Sequence, residues 1–281
     1  MTYAEDALAL LAEAAHEAPF PRVRALHLPP PPEPGRTRGE FGALELTDRT
    51  LGLAFVLLGD TWVRLREAVP TMTIAGADPL DLARRYVDGD SLERTVGLAA
   101  VNALTRCVFD RAGFAPPTSS DSIGLLDPAP GEAVGMIGYF APLVPQLVAR
   151  GAQLVVVELR ADLVGERDSV RVTLDPAELG GCAQVLATGT LLLNDTLDGM
   201  LQHCRHARRL ALVGPTVGGP PDPLFARGVT VLGGRWVIDS RGYVDALQRG
   251  APTCAFARKF SLAAADYPGW RALRGSRSAR G

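Results

Sequence analysis

In the first part of the chain, apolar residues recur at helical spacing. The clearest examples are residues 4–17 and residues 95–108, the second of which is apolar on almost every face and is therefore predicted to be a buried helix. Asp90 and Glu93 stand three residues apart just before it and predict a capping box at its start. A third helix is predicted over residues 79–87, because it begins with a proline that follows an aspartate.

Strand patterns separate these helices. Residues 22–28 alternate between apolar and polar, and residues 41–47 and 51–58 are predicted to form two further strands joined by a polar turn. Residues 28–35 contain a run of prolines, which indicates an extended, solvated connector within the first domain. These patterns predict an α+β domain over residues 1–114.

The pattern changes in the second part to short apolar strands that alternate with loops and helices. Runs of Val, Leu and Ile of this kind are typical of a parallel sheet covered on both faces, so a Rossmann-like domain is predicted over residues 131–266. Helices are predicted from Pro142 to Gly151, after a cap at Asn194 or Asp195, and over residues 243–248. The predicted strands are residues 133–137, 154–157, 184–187, 210–213 and 229–232.

Two segments lack such patterns. Residues 115–130 are rich in proline and serine and are predicted to be the linker between the domains. The arginine- and serine-rich end, residues 267–281, is predicted to be disordered. The predicted fold is therefore α/β, with an N-terminal α+β domain followed by a parallel-sheet domain.

Charge and cysteine content narrow the classes of function. The 281 residues carry a formal net charge of −2, which argues against a nucleic-acid partner. No apolar run is long enough to span a membrane, and the acidic start does not resemble a signal peptide. The four cysteines are scattered without CxxC pairs, which is typical of reduced thiols in a cytoplasmic protein. Many arginines and a single lysine suggest a GC-rich bacterial genome.

The candidate site follows from the ends of the predicted strands. In an open parallel sheet, ligands bind beyond the carboxyl ends of the strands. Glycine there lets a ligand approach the backbone closely, and hydroxyl and amide groups supply hydrogen bonds. We expect a small-molecule ligand at this edge. The candidate ligand-binding residues are Gly138, Tyr139, Phe140, Glu158, Thr188, Gly189, Thr190, Asn194, Thr196, Gly214 and Pro215.

Glu158 indicates what this ligand could be. It lies 20 residues after Gly138, about where an acidic residue holds a ribose in Rossmann domains. A nucleoside-bearing ligand such as S-adenosylmethionine or NAD is therefore one interpretation, although the GxGxxG fingerprint is absent. The other interpretation is that Glu158 marks an ordinary strand end, with its side chain in a salt bridge or exposed to solvent.

Asn102 is the remaining candidate, because it is an amide in the middle of the apolar helix. It either ties down a neighbouring loop or points into a cleft, since a buried amide must find partners. The chain has no HExxH, CxxC or GxSxG motif, and His203 and His206 alone do not form a metal site. No catalytic residue and no metal ligand can be named, although a hard cation held by distant carboxylates stays open.

Four segments of the chain carry a resemblance to a known family. They are residues 91–103, 134–144 with Glu158 after them, 188–197 and 213–216. Together they resemble a family of bacterial and archaeal proteins of unknown function called "putative heavy-metal chelation" proteins. The resemblance covers roughly residues 4–260 and implies an enolase N-terminal-like domain followed by a Rossmann-like domain. It also implies a cleft between the domains where Asn102 meets Tyr139, Glu158, Thr188, Thr190 and Asn194.

Two functions follow as hypotheses. The first is a small-molecule-binding protein, or an enzyme of specialised metabolism, with a nucleoside-type cofactor such as S-adenosylmethionine in the interdomain cleft. The alternative is a protein that binds a metal or a metal complex without turnover, as the family description implies. A homodimer is the expected oligomeric state, since such domains commonly form one.

Overall fold

A computed structural model describes residues 1–31, 41–70 and 72–275. Within them the fold is α/β, with a small antiparallel sheet and a large mixed sheet. The strands are β1 (Val23–His27), β2 (Phe41–Leu46), β3 (Leu51–Phe55), β4 (Ala133–Ile137), β5 (Gln153–Val157), β6 (Gly165–Arg167), β7 (Val170–Thr173), β8 (Gln184–Thr188), β9 (Arg209–Val213), β10 (Val231–Val237) and β11 (Ala257–Ala263).

The helices of the same residues confirm most of the predicted ones. The apolar helix is α4, and its capping box between Asp90 and Glu93 forms as predicted. The helices are α1 (Tyr3–Glu17), α2 (Thr61–Ala68), α3 (Pro79–Asp88), α4 (Ser91–Arg111), α5 (Val144–Val148), α6 (Leu197–His203), α7 (Asp222–Phe225), α8 (Ser240–Gln248) and α9 (Trp270–Gly275). None of them is both long enough and apolar enough to cross a membrane.

The small sheet has the order β1-β2-β3 and packs against α4. Gly52 on β3 allows this close packing, because a Cβ atom there would lie 2.0 Å from the Ala99 carbonyl oxygen. The helix can therefore be buried on nearly all sides, as its apolar sequence predicts.

The large sheet has the order β11-β10-β9-β8-β4-β5-β7-β6. The six strands from β10 to β7 are parallel, and the five predicted strands are all among them. Both faces are buried, since Met136 and Val156 belong to one apolar cluster and Ile137 and Val157 to another. This burial explains the continuous apolar runs.

The sheet is mixed rather than purely parallel, which corrects the prediction. β6 and β11 pair antiparallel with the strands next to them. The three residues of β6 are all exposed, and β11 contains Arg258 and Lys259, so neither strand has the apolar run of a central parallel strand. The turn between β6 and β7 passes through Asp168, whose φ is 49°.

Three predicted helix starts are wrong by a few residues, and one of them is that of α8, which begins at Ser240 rather than at residue 243. α5 begins at Val144 rather than Pro142 and has five residues, with Pro145 in its first turn. α6 follows Thr196, and neither Asn194 nor Asp195 caps it. The Asn194 side chain instead accepts hydrogen bonds from Thr196, so its oxygen is not available to the first turn of the helix.

The two parts of the chain share one apolar core. Residues of α1, α3 and α4 belong to the same cluster as residues of β8 and the loop after it. Tyr86 of α3 donates a hydrogen bond from its hydroxyl to the carbonyl of Leu192 at 2.7 Å, and Arg94 of α4 forms an ion pair with Asp195. The loop that follows β8 is thus fixed by the N-terminal part.

The segments predicted to be a linker and a disordered tail are largely packed. Ile123 and Leu126 are each 1% exposed and pack beneath the large sheet. Residues from 267 onward were predicted to be disordered, but α9 forms there, because Trp270 is buried and its N–H donates to Asp222. The end of the predicted tail, residues 276–281, and the second half of the proline-rich segment, residues 32–35, lie outside the described residues.

Candidate ligand-binding cleft

The strand order places a crevice between β4 and β8. Within the sheet, β5 lies on one side of β4, and β8, which comes later in the chain, lies on its other side. The loops after β4 and β8 therefore diverge at their carboxyl ends. Such a switch point is where open α/β sheets bind ligands.

A cavity of about 270 Å³ lies at this point. Its size is close to that of small-molecule sites, which are commonly about 300–1,000 Å³. Eight of the predicted site residues line it, and they come from the ends of β4, β5 and β8 and from the loop before α6. They are Gly138, Tyr139, Phe140, Glu158, Thr188, Thr190, Asn194 and Thr196.

Glu158 fixes one wall of this cleft. One carboxylate oxygen accepts the backbone N–H of Tyr139 at 2.8 Å, and the other accepts the N–H of Leu159 at 2.7 Å. The loop turns at Gly138, whose φ of 83° favours glycine. Glu158 therefore positions the Gly138–Tyr139 loop and keeps free lone pairs on both oxygens for a ligand.

The opposite wall carries hydroxyl and amide groups. The Thr188 hydroxyl accepts hydrogen bonds from the N–H and the hydroxyl of Thr190, at 3.3 and 3.1 Å. The Thr196 hydroxyl donates to Asn194 Oδ1 at 2.6 Å. The Asn194 Nδ2 group makes no hydrogen bond to the described residues, so the cleft presents an amide donor beside hydroxyl acceptors.

The structure places Asn102 away from this cleft. Its Nδ2 donates to the carbonyls of Leu53 and Thr216, at 2.7 and 2.8 Å, and the residue is 4% exposed. Asn102 thus joins β3 to the loop after β9, as the first of its two interpretations predicts. It lines a separate cavity of about 50 Å³.

The other three candidates also lie outside the cleft lining. Gly189 is buried, and a Cβ atom there would lie 2.8 Å from Val217 Cγ2, so its role is close packing. Gly214 and Pro215 line a neighbouring cavity of about 160 Å³, and Phe140 lines both this cavity and the cleft.

Several apolar lining residues were not among the predicted ones. Met200 faces the cleft from α6, although its spacing from Leu197 and Leu201 is also typical of the buried stripe of a helix. Leu58, which follows β3, is the contribution of the N-terminal part. Leu159 also lines the cleft and is 75% exposed. Its position directly after Glu158, at the end of a strand, could have indicated this role from the sequence.

The described residues do not fit a bare heavy-metal ion. No group of three or more His, Cys, Asp or Glu side chains among them lies close enough to hold one. Thiolates are the preferred ligands of soft metals, but burial raises the pKa of the thiols of Cys107, Cys182 and Cys204 to about 12, 11 and 12. Each of these three thiols is buried, and the exposed fourth one, Cys254, belongs to no such group of ligands.

The fold and the cleft define an α/β protein with a ligand-sized site at the switch point of its large sheet. Comparison with known proteins gives the family. Residues 121–266, more than half of the chain, match the model of the DUF364 family, described as "Putative heavy-metal chelation", and residues 40–105 match the DUF4213 model, which has the same description. The chain belongs to this family.

One relative is similar to this chain over about half of its length. An uncharacterized protein of Methanocaldococcus jannaschii, MJ0500, is 29% identical over 154 residues, which are 53% of this chain and 57% of the relative. The match thus spans little more than half of that relative's length.

Two solved structures of DUF364 proteins of unknown function show a similar fold. The protein from Desulfitobacterium hafniense is 20% identical, with a TM-score of 0.68 over 93% of this chain and 100% of its own. The protein from Pyrococcus horikoshii is 21% identical, with a TM-score of 0.65 over 92% and 99%.

Proposed function

We propose that this protein binds a small molecule in the cleft between β4 and β8, and that this molecule is a metal complex. The observation that carries the proposal is the cavity of about 270 Å³ at the switch point, lined by hydroxyl, amide and carboxylate groups. The family description supports the metal, and the lining supports an organic ligand around it.

The chemistry of the cleft favours a complex over a free ion. Hydroxyl and amide groups such as those of Thr190 and Asn194 are weak ligands for soft metals but good hydrogen-bond partners for an organic molecule. Tyr139 and Phe140 add aromatic surface against which such a molecule can pack. In this account the organic ligand supplies the metal's donor atoms, and the protein recognises the ligand.

The finer fold labels belong to the same proposal. The strands from β7 to β10 follow the order 3-2-1-4-5-6 of a Rossmann domain when numbered from β4. This order supports a Rossmann-like second domain. A three-stranded antiparallel sheet packed against helices is compatible with an enolase N-terminal-like first domain.

A thermal-shift experiment tests the proposed function. The probes are the chlorides of Ni²⁺, Cu²⁺, Co²⁺ and Zn²⁺, each alone and as its histidine or citrate complex. A complex at about 100 times its Kd stabilises by about 2.7 kcal/mol, which raises Tm by roughly 5 °C for a chain of this size. We expect a complex to raise Tm more than its free ion and free ligand do.

A matched pair of variants assigns the shift to the cleft. Thr190→Val removes a hydroxyl from the lining, and we expect about tenfold weaker binding, the value of one hydrogen bond. Thr118→Val makes the same change at an exposed threonine outside the cleft and should leave binding unchanged. Free ions that shift Tm as strongly as their complexes would contradict the proposal.

A second candidate is a nucleoside-type cofactor such as S-adenosylmethionine, and with it an enzyme of specialised metabolism. Its support is Glu158, which lies in the cleft at the end of the strand next to β4, the position of a ribose-binding acid. S-adenosylmethionine and NAD are therefore added to the same thermal-shift panel. A shift with either that is lost in Glu158→Gln would favour this candidate over the metal complex.

We also propose a cytoplasmic location and a homodimer. The four cysteines are all unpaired, three of them buried, which is typical of proteins from reducing compartments. A homodimer is the common state of such domains. Light scattering of the purified protein measures the oligomeric state directly.

A further inference from the structure

A second cavity lies along the same edge of the large sheet, beside β9, β10 and β11. Its volume is about 160 Å³. Phe140 separates it from the cleft, since this ring lines both. The polar side chains that line it are Asp121, Ser122, Arg235, Lys259 and Ser261.

Two cations line this cavity from neighbouring strands, and one of them, Arg235, also lines the cavity of about 50 Å³ beside Asn102. Arg235 and Lys259 are direct cross-strand partners of β10 and β11, and their side chains leave the sheet on the same face. Like charges in this position destabilise a sheet, because the Cβ atoms of such partners are only about 4.5–5.5 Å apart. Neither forms an ion pair with any described carboxylate.

The remaining polar groups neutralise this charge only in part. Lys259 donates to the Ser122 hydroxyl, which is uncharged. Asp121 also lines the cavity and offsets one of the two positive charges, while its Oδ2 accepts the backbone N–H groups of Ile123 and Leu125, at 3.0 and 2.9 Å. The lining therefore keeps an excess of one positive charge.

Ser261 is the second, independent sign of a ligand. It is only 7% exposed, it lines the cavity, and its hydroxyl makes no hydrogen bond to the described residues. The hydroxyl is open to the cavity rather than sealed in the core, so it is free to donate to a ligand there. A hydroxyl donor beside an arginine and a lysine is the set of groups that binds an oxyanion.

We propose that this cavity is an oxyanion-binding site for a carboxylate or phosphate group, with Arg235, Lys259 and Ser261 as its ligands. The inference rests on these residues alone and does not depend on what occupies the cleft. Since Phe140 lines both cavities, an anionic arm of a ligand bound in the cleft lies within reach of this site.

Titration with two simple anions tests the site. Inorganic phosphate and malonate are added to the full chain at constant ionic strength, with chloride as the reference, and binding is measured by calorimetry and by Tm. We expect saturable binding of at least one anion, weakened tenfold or more in Lys259→Gln and in Arg235→Gln. The stronger anion identifies a phosphate or a carboxylate as the natural group.

Two further variants keep the test decisive. Arg241→Gln removes the same charge from an exposed arginine outside the cavity and should retain full anion affinity. Lys259→Arg preserves the positive charge and should bind within about threefold of the natural protein, which separates loss of charge from loss of folding. Equal anion affinity in Lys259→Gln and Arg241→Gln, or no saturable binding by the natural protein, would overturn the inference.

Discussion

Polar side chains at the two ends of the large sheet are used in different ways. At the amino end, Glu132 before β4 pairs with Arg208 before β9 and lies 3.4 Å from the amide of Gln184 on β8. Gln184 in turn accepts the backbone N–H of Asp127. At the carboxyl end, by contrast, Glu158, Asn194, Arg235 and Lys259 line cavities.

This difference separates structural from ligand-binding groups. Polar groups at the amino end satisfy one another, so changes there should affect stability and leave ligand binding intact. Groups at the carboxyl end keep donors or acceptors for a ligand, so changes there should affect binding more than stability. One carboxyl-end contact breaks this division, because the loop after β9 is held by Asn102.

Substitution of Asn102, which holds the loop after β9, has the largest expected effect on stability. Asn102→Ala removes the donor to two carbonyls, those of Leu53 and Thr216, in a buried position. We expect the free energy of unfolding to fall by about 3 kcal/mol, measured by urea unfolding. Asn194→Ala, a half-buried asparagine in the cleft, is the matched control and should cost less than about 1 kcal/mol. Equal losses in both variants would show that the two asparagines have the same role.

At the amino end, Gln184→Ala has the next largest effect. Gln184 is 1% exposed, and the change leaves the Asp127 N–H without its partner. A loss of about 2 kcal/mol is expected in urea unfolding. The Tm increase produced by a bound metal complex should equal that of the natural protein. A smaller increase would mean that the amino end also contributes to the site.

Glu132→Gln tests the same end through its pH dependence. Hydrogen bonds from Arg208 lower the pKa of Glu132 from 4.5 to about 2. Because the pKa of Glu132 is lower in the folded protein than in the unfolded chain, the ionised carboxylate stabilises the fold at pH values above the unfolded pKa. This stabilisation is lost as the pH falls from about 4.5 to 2. Glu132→Gln has no carboxylate to protonate, so its free energy of unfolding should fall by about 1 kcal/mol less than that of the natural protein over this pH range. The difference is small because Arg208 is largely exposed to solvent. An unchanged acid profile would exclude this ion pair as a source of acid sensitivity.

The sequence predicts the strands of the central sheet well, because burial on both faces requires continuous apolar runs. It does not predict β6, β7 or β11, because short strands and exposed or cationic residues such as Glu166, Arg258 and Lys259 resemble loop sequence. The failure at β11 also hid the Arg235–Lys259 pair, since cross-strand partners cannot be recognised before the strand pairing is known.

The candidate site was predictable where one rule of topology applies. The rule that parallel strands bind ligands at their carboxyl ends finds Gly138, Glu158, Thr188 and Asn194. The rule does not distinguish them from Gly214 and Pro215. These two residues follow β9, which pairs with β8 on the side away from β4 and therefore lies one strand beyond the crevice. That distinction depends on strand order, which the chain sequence does not contain in any local pattern.

The most direct test of the ligand site is to fill the cleft. Met200 lines the cleft from α6, and its side chain makes no hydrogen bond to the described residues. The larger ring in Met200→Trp should therefore fill the cleft at little cost to folding. Leu174→Trp adds the same ring at an exposed position and is the control. We predict that the Tm increase caused by the strongest metal complex disappears in Met200→Trp and persists in Leu174→Trp. An undiminished increase in Met200→Trp would show that the ligand binds elsewhere and would contradict the account.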